Sequence, residues 1–135
     1  MTDKEALFLY RLKQAEETLS DAEKMLDGNF SPRSITNRAD YSMFYGILAL
    51  FLNTDVPIKT SKHVGVISIF DKEFIQRDKI DKYYSSLIHK MFNIGQKGDY
   101  KEFAEVTKEE SREHVELAKE FLEAIKNYVG KIEVK

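Results

Sequence analysis

The side chains of this 135-residue chain that could act on a substrate are few and scattered. His63, His89 and His114 lie on separate segments, so no two share the short helical spacing that a metal pair uses. HExxH is absent, as is a repeated Glu-x-x-His, and neither a metal site nor a cofactor is expected. The lack of cysteine excludes disulfides, thiol nucleophiles and thiolate-bound metal. GxGxxG and GxxxxGK followed by Ser or Thr have no match, and Gly95-Gln96-Lys97-Gly98 lacks the spacing and preceding strand of a phosphate loop. Nothing marks one serine as an activated nucleophile. The polar residues with the most defined setting are Ser34, Asn37 and Arg38, which interrupt the largely apolar stretch from Ser31 to Leu52. Arg38 could present a planar fork to phosphate oxygens, with Asn37 beside it. Alternatively, Asn37 could bridge backbone groups while Arg38 pairs with a carboxylate such as Asp99 in a buried network.

The elements that must position these residues read as helices throughout. Phe8, Leu12, Ala15, Leu19, Ala22 and Leu26 alternate spacings of four and three, which predicts one long helix from Asp3 to Asp27 closed by Gly28-Asn29. Ser31 as N-cap and Pro32 at the first helical position open a second helix to about Leu52, apolar on most sides and so requiring other helices around it. Asn53 to Ser61 reads as a loop. Ser61 then caps a short third helix with Val64, Ile67, Phe70 and Phe74 on one side, although the β-branched run from Val64 to Ile69 could by periodicity alone be a strand. A fourth helix runs from about Ile80 to Ile94 with Tyr83, Tyr84, Leu87, Ile88, Met91 and Phe92 at helical spacing. Thr107 and Glu110 form a capping box that starts the fifth, whose stripe of Val115, Ala118, Leu122, Ile125 and Val129 is expected to stop at Gly130. The expected fold is all-α, an up-and-down bundle of four to five helices in a single domain over 1–135.

Charge and hydropathy narrow the function classes. A formal net charge of -2 gives no bulk attraction for duplex DNA or an anionic membrane. The longest apolar run, Met43 to Leu52, is well short of the ~20 residues that span a bilayer, and the charged N-terminus does not resemble a signal peptide, so a cytoplasmic location is expected.

The run SITNRADYSMFYG, Ser34 to Gly46, resembles the S-x-x-N-R-A-x-Y-x-x-F signature of the HEPN superfamily, the nucleotide-binding domains of higher eukaryotes and prokaryotes. Lys59 to Ile75 is similar to the segment before helix 4 in small stand-alone prokaryotic members, and Gly95 to Phe103 resembles their R-Q-x-x-D-Y stretch. The resemblance covers nearly the whole chain. It implies a four- to five-helix bundle, commonly a homodimer, often encoded beside a minimal nucleotidyltransferase with which it forms a two-component or toxin and antitoxin pair.

Some members are metal-independent ribonucleases whose R-x(4-6)-H motif acts on the RNA backbone, the histidine being suited to proton transfer near neutral pH. Here Gly95 stands where relatives carry the arginine and Tyr100 where the ribonucleases carry the histidine. None of Arg11, Arg33, Arg38, Arg77 and Arg112 has a histidine at that spacing downstream. The expectation is a protein that binds a partner, a nucleotidyltransferase by the resemblance, and a nucleotide or RNA, without the family's ribonuclease activity. Its binding residues would be Asn37, Arg38, His63, Lys97, Asp99 and Tyr100. His63 has a second reading as a partly exposed residue of a helix cap, and Asp99 as a turn former. The alternative function is an RNA-cleaving toxin with an altered site that uses Arg38 with His63 or His89.

Overall fold

The computed structural model describes residues 2–58, 60, 62–94 and 105–133, and over these the chain is all-α, with five helices and no strand. Helix α1 (Asp3–Asp27) starts at Thr2, whose hydroxyl accepts the Glu5 N–H at 3.1 Å. It ends at Gly28, but Asn29, with φ 58°, is the residue that takes the left-handed conformation, leaving Gly28 at φ −85°. Helix α2 (Pro32–Asn53) begins as the sequence predicts, with Ser31 Oγ accepting from the Ser34 N–H at 3.2 Å and Pro32 in the first turn.

Cross-helix contacts fix the directions. Thr36 meets His114 and Gly46 meets Leu122, so α5 (Lys108–Glu133) runs parallel to α2. Lys108 reaches Asn29 and Lys126 pairs with Glu16, which sets α5 antiparallel to α1. Lys4 pairs with Asp55 across the far end of the α1 and α2 hairpin. These three helices form the frame of the bundle. A Cβ on Gly46 would stand 2.6 Å from Leu122 Cδ2, so a larger residue there would force that buried methyl group to move. As its composition demands, α2 is wrapped on most sides, with Met43, Ile47, Ala49, Leu50 and Phe51 fully buried.

The second layer is α3 (His63–Phe70), continued by a π-helical turn (Asp71–Ile75), and α4 (Lys82–Phe92), capped by Asp81 Oδ1 on the Tyr83 N–H at 2.8 Å. Phe70 and Phe74 enter the core, where Phe74 stacks on Phe51 at 6.0 Å between centroids. Val64 is 60 % exposed rather than part of the buried side, and Val66 takes the core position instead. The predicted cap Ser61 lies outside the described residues, and the residue directly before α3 is Lys62, which makes no side-chain cap bond.

The capping box of α5 is present in both directions, Thr107 Oγ1 accepting from the Glu110 N–H and Glu110 Oε1 from the Thr107 N–H, each at 3.0 Å. These bonds hold the Glu110 carboxyl below its ordinary range. Gly130 does not stop the helix, which continues to Glu133. A glycine can continue a helix at modest cost. Among the described residues no helix is long and apolar enough to cross a membrane.

Candidate functional site

The expected polar triplet of α2 is split by the helix geometry. Ser34 is exposed and its hydroxyl accepts from Ser31 Oγ at 2.7 Å, so it belongs to the helix start and not to a buried network. Asn37 and Arg38 are half-buried. On α2 the buried polar residues are instead Thr36 and Asp40, one and two positions away, and Ser42 a turn further on, all on the inner faces. Thr36 Oγ1 lies 2.9 Å from His114 Nδ1, a buried hydrogen bond that ties α2 to α5. Ser42 Oγ donates to the Ala39 carbonyl at 2.6 Å. His114 is thus a packing residue, and burial together with nearby Lys90 lowers its pKa, while Glu113 and Glu110 oppose the shift.

The middle of α2, the start of α3 and the end of α4 converge on His63. Its ring stacks on Phe44 with centroids 4.0 Å apart and planes at 12°, and Phe92 lies on it at 6.1 Å. Tyr41 stands nearly perpendicular to the imidazole at 5.2 Å, and the Arg38 guanidinium sits over the Tyr41 ring, 5.4 Å from its centroid. Arg38 and His63 are therefore gathered around one tyrosine. The resulting cation–π contact is worth about 0.5–1 kcal/mol at a partly exposed position and holds the guanidinium at the rim.

His63 Nε2 points to buried Asp40, with Oδ2 at 3.7 Å, an electrostatic approach too long for a hydrogen bond. Burial lowers the His63 pKa, favouring the neutral ring. The imidazole faces inward to rings and to Asp40, yet at the first residue of α3 it keeps part of its surface exposed, as the partly exposed cap position has it. Asp40 was legible in retrospect as the one acidic residue within Pro32–Asn53, on a helix that is otherwise apolar inside.

His89 is taken up elsewhere. Its Nε2 is 2.7 Å from Asp71 Oδ2, while Ser85 Oγ donates to Asp71 Oδ1 at 2.7 Å. Asp71 stands between serine and imidazole, so this chain of contacts cannot activate the serine as a His-centred triad would. Of the six expected binding residues, the structure places Arg38 and His63 in one cluster and puts Asn37 on the same helix turn as Arg38. Lys97, Asp99 and Tyr100 lie outside the described residues, as does the expected Arg38 to Asp99 pair. No group of three or more metal-binding side chains gathers among the described residues.

Fold and cluster together define a class: an all-α bundle whose central helix carries an arginine, a tyrosine and a buried aspartate against a histidine at the start of the third helix. The sequence profile of the HEPN domain matches residues 8–128, and the chain belongs to that family. It is similar to a UPF0332 protein of Thermotoga maritima, 34% identical over 129 residues that cover 96% of each chain. Two relatives in Methanocaldococcus jannaschii carry the names "Putative toxin MJ0142" and "Putative toxin MJ0605". They are 32% and 35% identical over 118 residues each, covering 87% of this chain and 78% and 85% of theirs.

Proposed function

We propose that this HEPN protein is the ligand-binding member of a two-component pair, in which the Arg38, Tyr41 and His63 cluster receives a phosphate-bearing ligand, a nucleotide or RNA. The observation that carries this reading is the Arg38 guanidinium held over Tyr41 at the rim of the aromatic pocket around His63. A guanidinium can bind phosphate oxygens through two parallel N–H bonds, and the half-buried Tyr41 ring beside it offers an aromatic surface to a base. The partner follows from the resemblance, which makes a minimal nucleotidyltransferase its expected class, while the toxin names of the two relatives in Methanocaldococcus jannaschii support the second reading below. Homodimerisation belongs to the same reading, through α2 around the half-buried Tyr41.

A second reading, metal-independent RNA cleavage, is favoured by one observation: His63, a group suited to proton transfer, lies beside buried Asp40, with Nε2 3.7 Å from Oδ2. Against it stands the position of Nε2, buried and aimed at Asp40 rather than outward. End-labelled RNA incubated with the protein in EDTA separates the two. The binding reading expects a mobility shift with intact RNA. Cleavage that His63→Ala abolishes establishes the second reading instead.

A further inference from the structure

A groove opens on the other side of the aromatic wall that holds His63. It is bounded by Leu7 and Arg11 of α1, by Tyr45, Leu48 and Leu52 of α2, and by Ile58 of the following loop, and encloses about 510 Å³. A shallower extension of about 260 Å³ continues along Leu52 and Ile58 toward Val56 and Pro57. Leu7 and Ile58 are each 43% exposed, a large fraction for aliphatic side chains on facing walls. The polar groups of the main groove besides the Tyr45 hydroxyl are Arg11 and Thr60. Arg11 donates to the neutral Gln14 Oε1 at 2.8 Å, and among the described residues no carboxylate lies within ion-pair distance of it. By contrast, Lys4 at the far end is matched by Asp55. Among the described residues the groove therefore offers apolar walls and one guanidinium, set 5.7 Å from the Tyr10 ring centroid, with no carboxylate to match it.

We propose that this groove is the docking site for a partner protein's amphipathic acidic segment, with apolar side chains against Leu7, Leu52 and Ile58 and a carboxylate on Arg11. An elongated, open, apolar channel suits a helix or strand laid along it better than a compact small molecule, and the uncompensated guanidinium selects the acidic sign. The segment would also read the candidate site. Phe44 lines the groove and its ring stacks on His63, and Tyr45 lines it while packing 5.9 Å from Tyr41, which carries Arg38. Filling the groove thus presses on the two rings that set the positions of His63 and Arg38. This control by a partner rests on the binding function proposed above, whereas the docking itself does not.

The test uses the full chain and two fluorescein-labelled helical peptides of about 15 residues, with leucines three and four apart and a flanking face of either glutamate or lysine. Fluorescence anisotropy is expected to show the acidic peptide binding at least about tenfold more tightly than the basic one, with Arg11→Glu reversing the order and Leu7→Asp abolishing both. Circular dichroism of the two variants, both altered at accessible positions, checks that they fold. Equal affinities for the two peptides, or binding that neither variant changes, overturns the docking proposal. So does a dimer in sedimentation equilibrium that Leu7→Asp and Arg11→Glu dissolve, since a second copy would then own the groove. The His63 imidazole resonances are expected to shift when the acidic peptide saturates the chain, and unshifted resonances overturn the coupling. Failure of RNA or nucleotide binding would leave the anisotropy result standing.

Discussion

Thr36→Val tests the bond on which the relative placement of α2 and α5 depends. The hydroxyl and the imidazole of His114 are both buried, 2.9 Å apart, and 78 residues separate them in the sequence. Valine keeps the shape but leaves His114 Nδ1 without its partner, in a site where water cannot replace it. An unsatisfied buried polar group costs about 1–3 kcal/mol. With an unfolding entropy near 2.1 cal/mol/K per residue, each kcal/mol lowers the melting temperature of a chain this size by roughly 3–4 °C. The expected loss is therefore roughly 4–11 °C, read by circular dichroism, with a matching fall in the urea midpoint at unchanged slope. His114→Leu alone should also destabilise. The double variant, which removes both polar groups, should cost less than the two singles together by at least about 0.5 kcal/mol. Strict additivity, or a Thr36→Val loss below about 0.3 kcal/mol, would refute the argument that this bond joins the helices.

Two further outcomes follow from the same structure. Burial is the main cause that lowers the pKa of both His63 and His114 in the folded chain, so the unfolded chain takes up protons first as the pH falls below about 6.5. Stability is expected to be full above that value and to decline below it, down through the folded-state pKa values, by at most about 1.4 kcal/mol per pH unit for each histidine. Urea titrations across the window check this, and His63→Gln should flatten the slope. Thr107→Ala removes the acceptor for the Glu110 N–H and should cost about 1 kcal/mol with fraying confined to the first turn of α5, measurable by amide exchange.

The helices were legible because local signals agreed with tertiary need: stripes at helical spacing, Ser31 with Pro32, and the Thr107 and Glu110 box all mark elements that the packing then uses. Where packing decides alone, the pattern misled. Val64 and Val66 are equally apolar, and only the rotation of α3 against α2 and α4 selects Val66 for the core. Gly130 has the identity of a stop, yet the apolar stripe around Val129 carries the helix past it. In the site, the signature pointed to Ser34, Asn37 and Arg38, but a helix distributes adjacent residues around its circumference, so Thr36 and Asp40 face inward while Ser34 faces water. The stacking of His63 on Phe44 joins residues far apart in the sequence, and no local pattern encodes it.

Arg38 carries the central claim, and its removal tests it most directly. The affinity of the protein for a short labelled RNA, and for ATP as a single nucleotide, is measured for the wild type, Arg38→Lys and Arg38→Ala, alongside the melting temperature of each. Loss of a charge-assisted pair of hydrogen bonds to phosphate is expected to weaken at least one ligand by roughly tenfold or more in Arg38→Ala. Arg38→Lys should fall between, and all three proteins should remain folded at the temperature of the assay. Affinity for both ligands that is unchanged in Arg38→Ala, with only a lower melting temperature, would contradict the account and leave Arg38 as a packing residue on Tyr41.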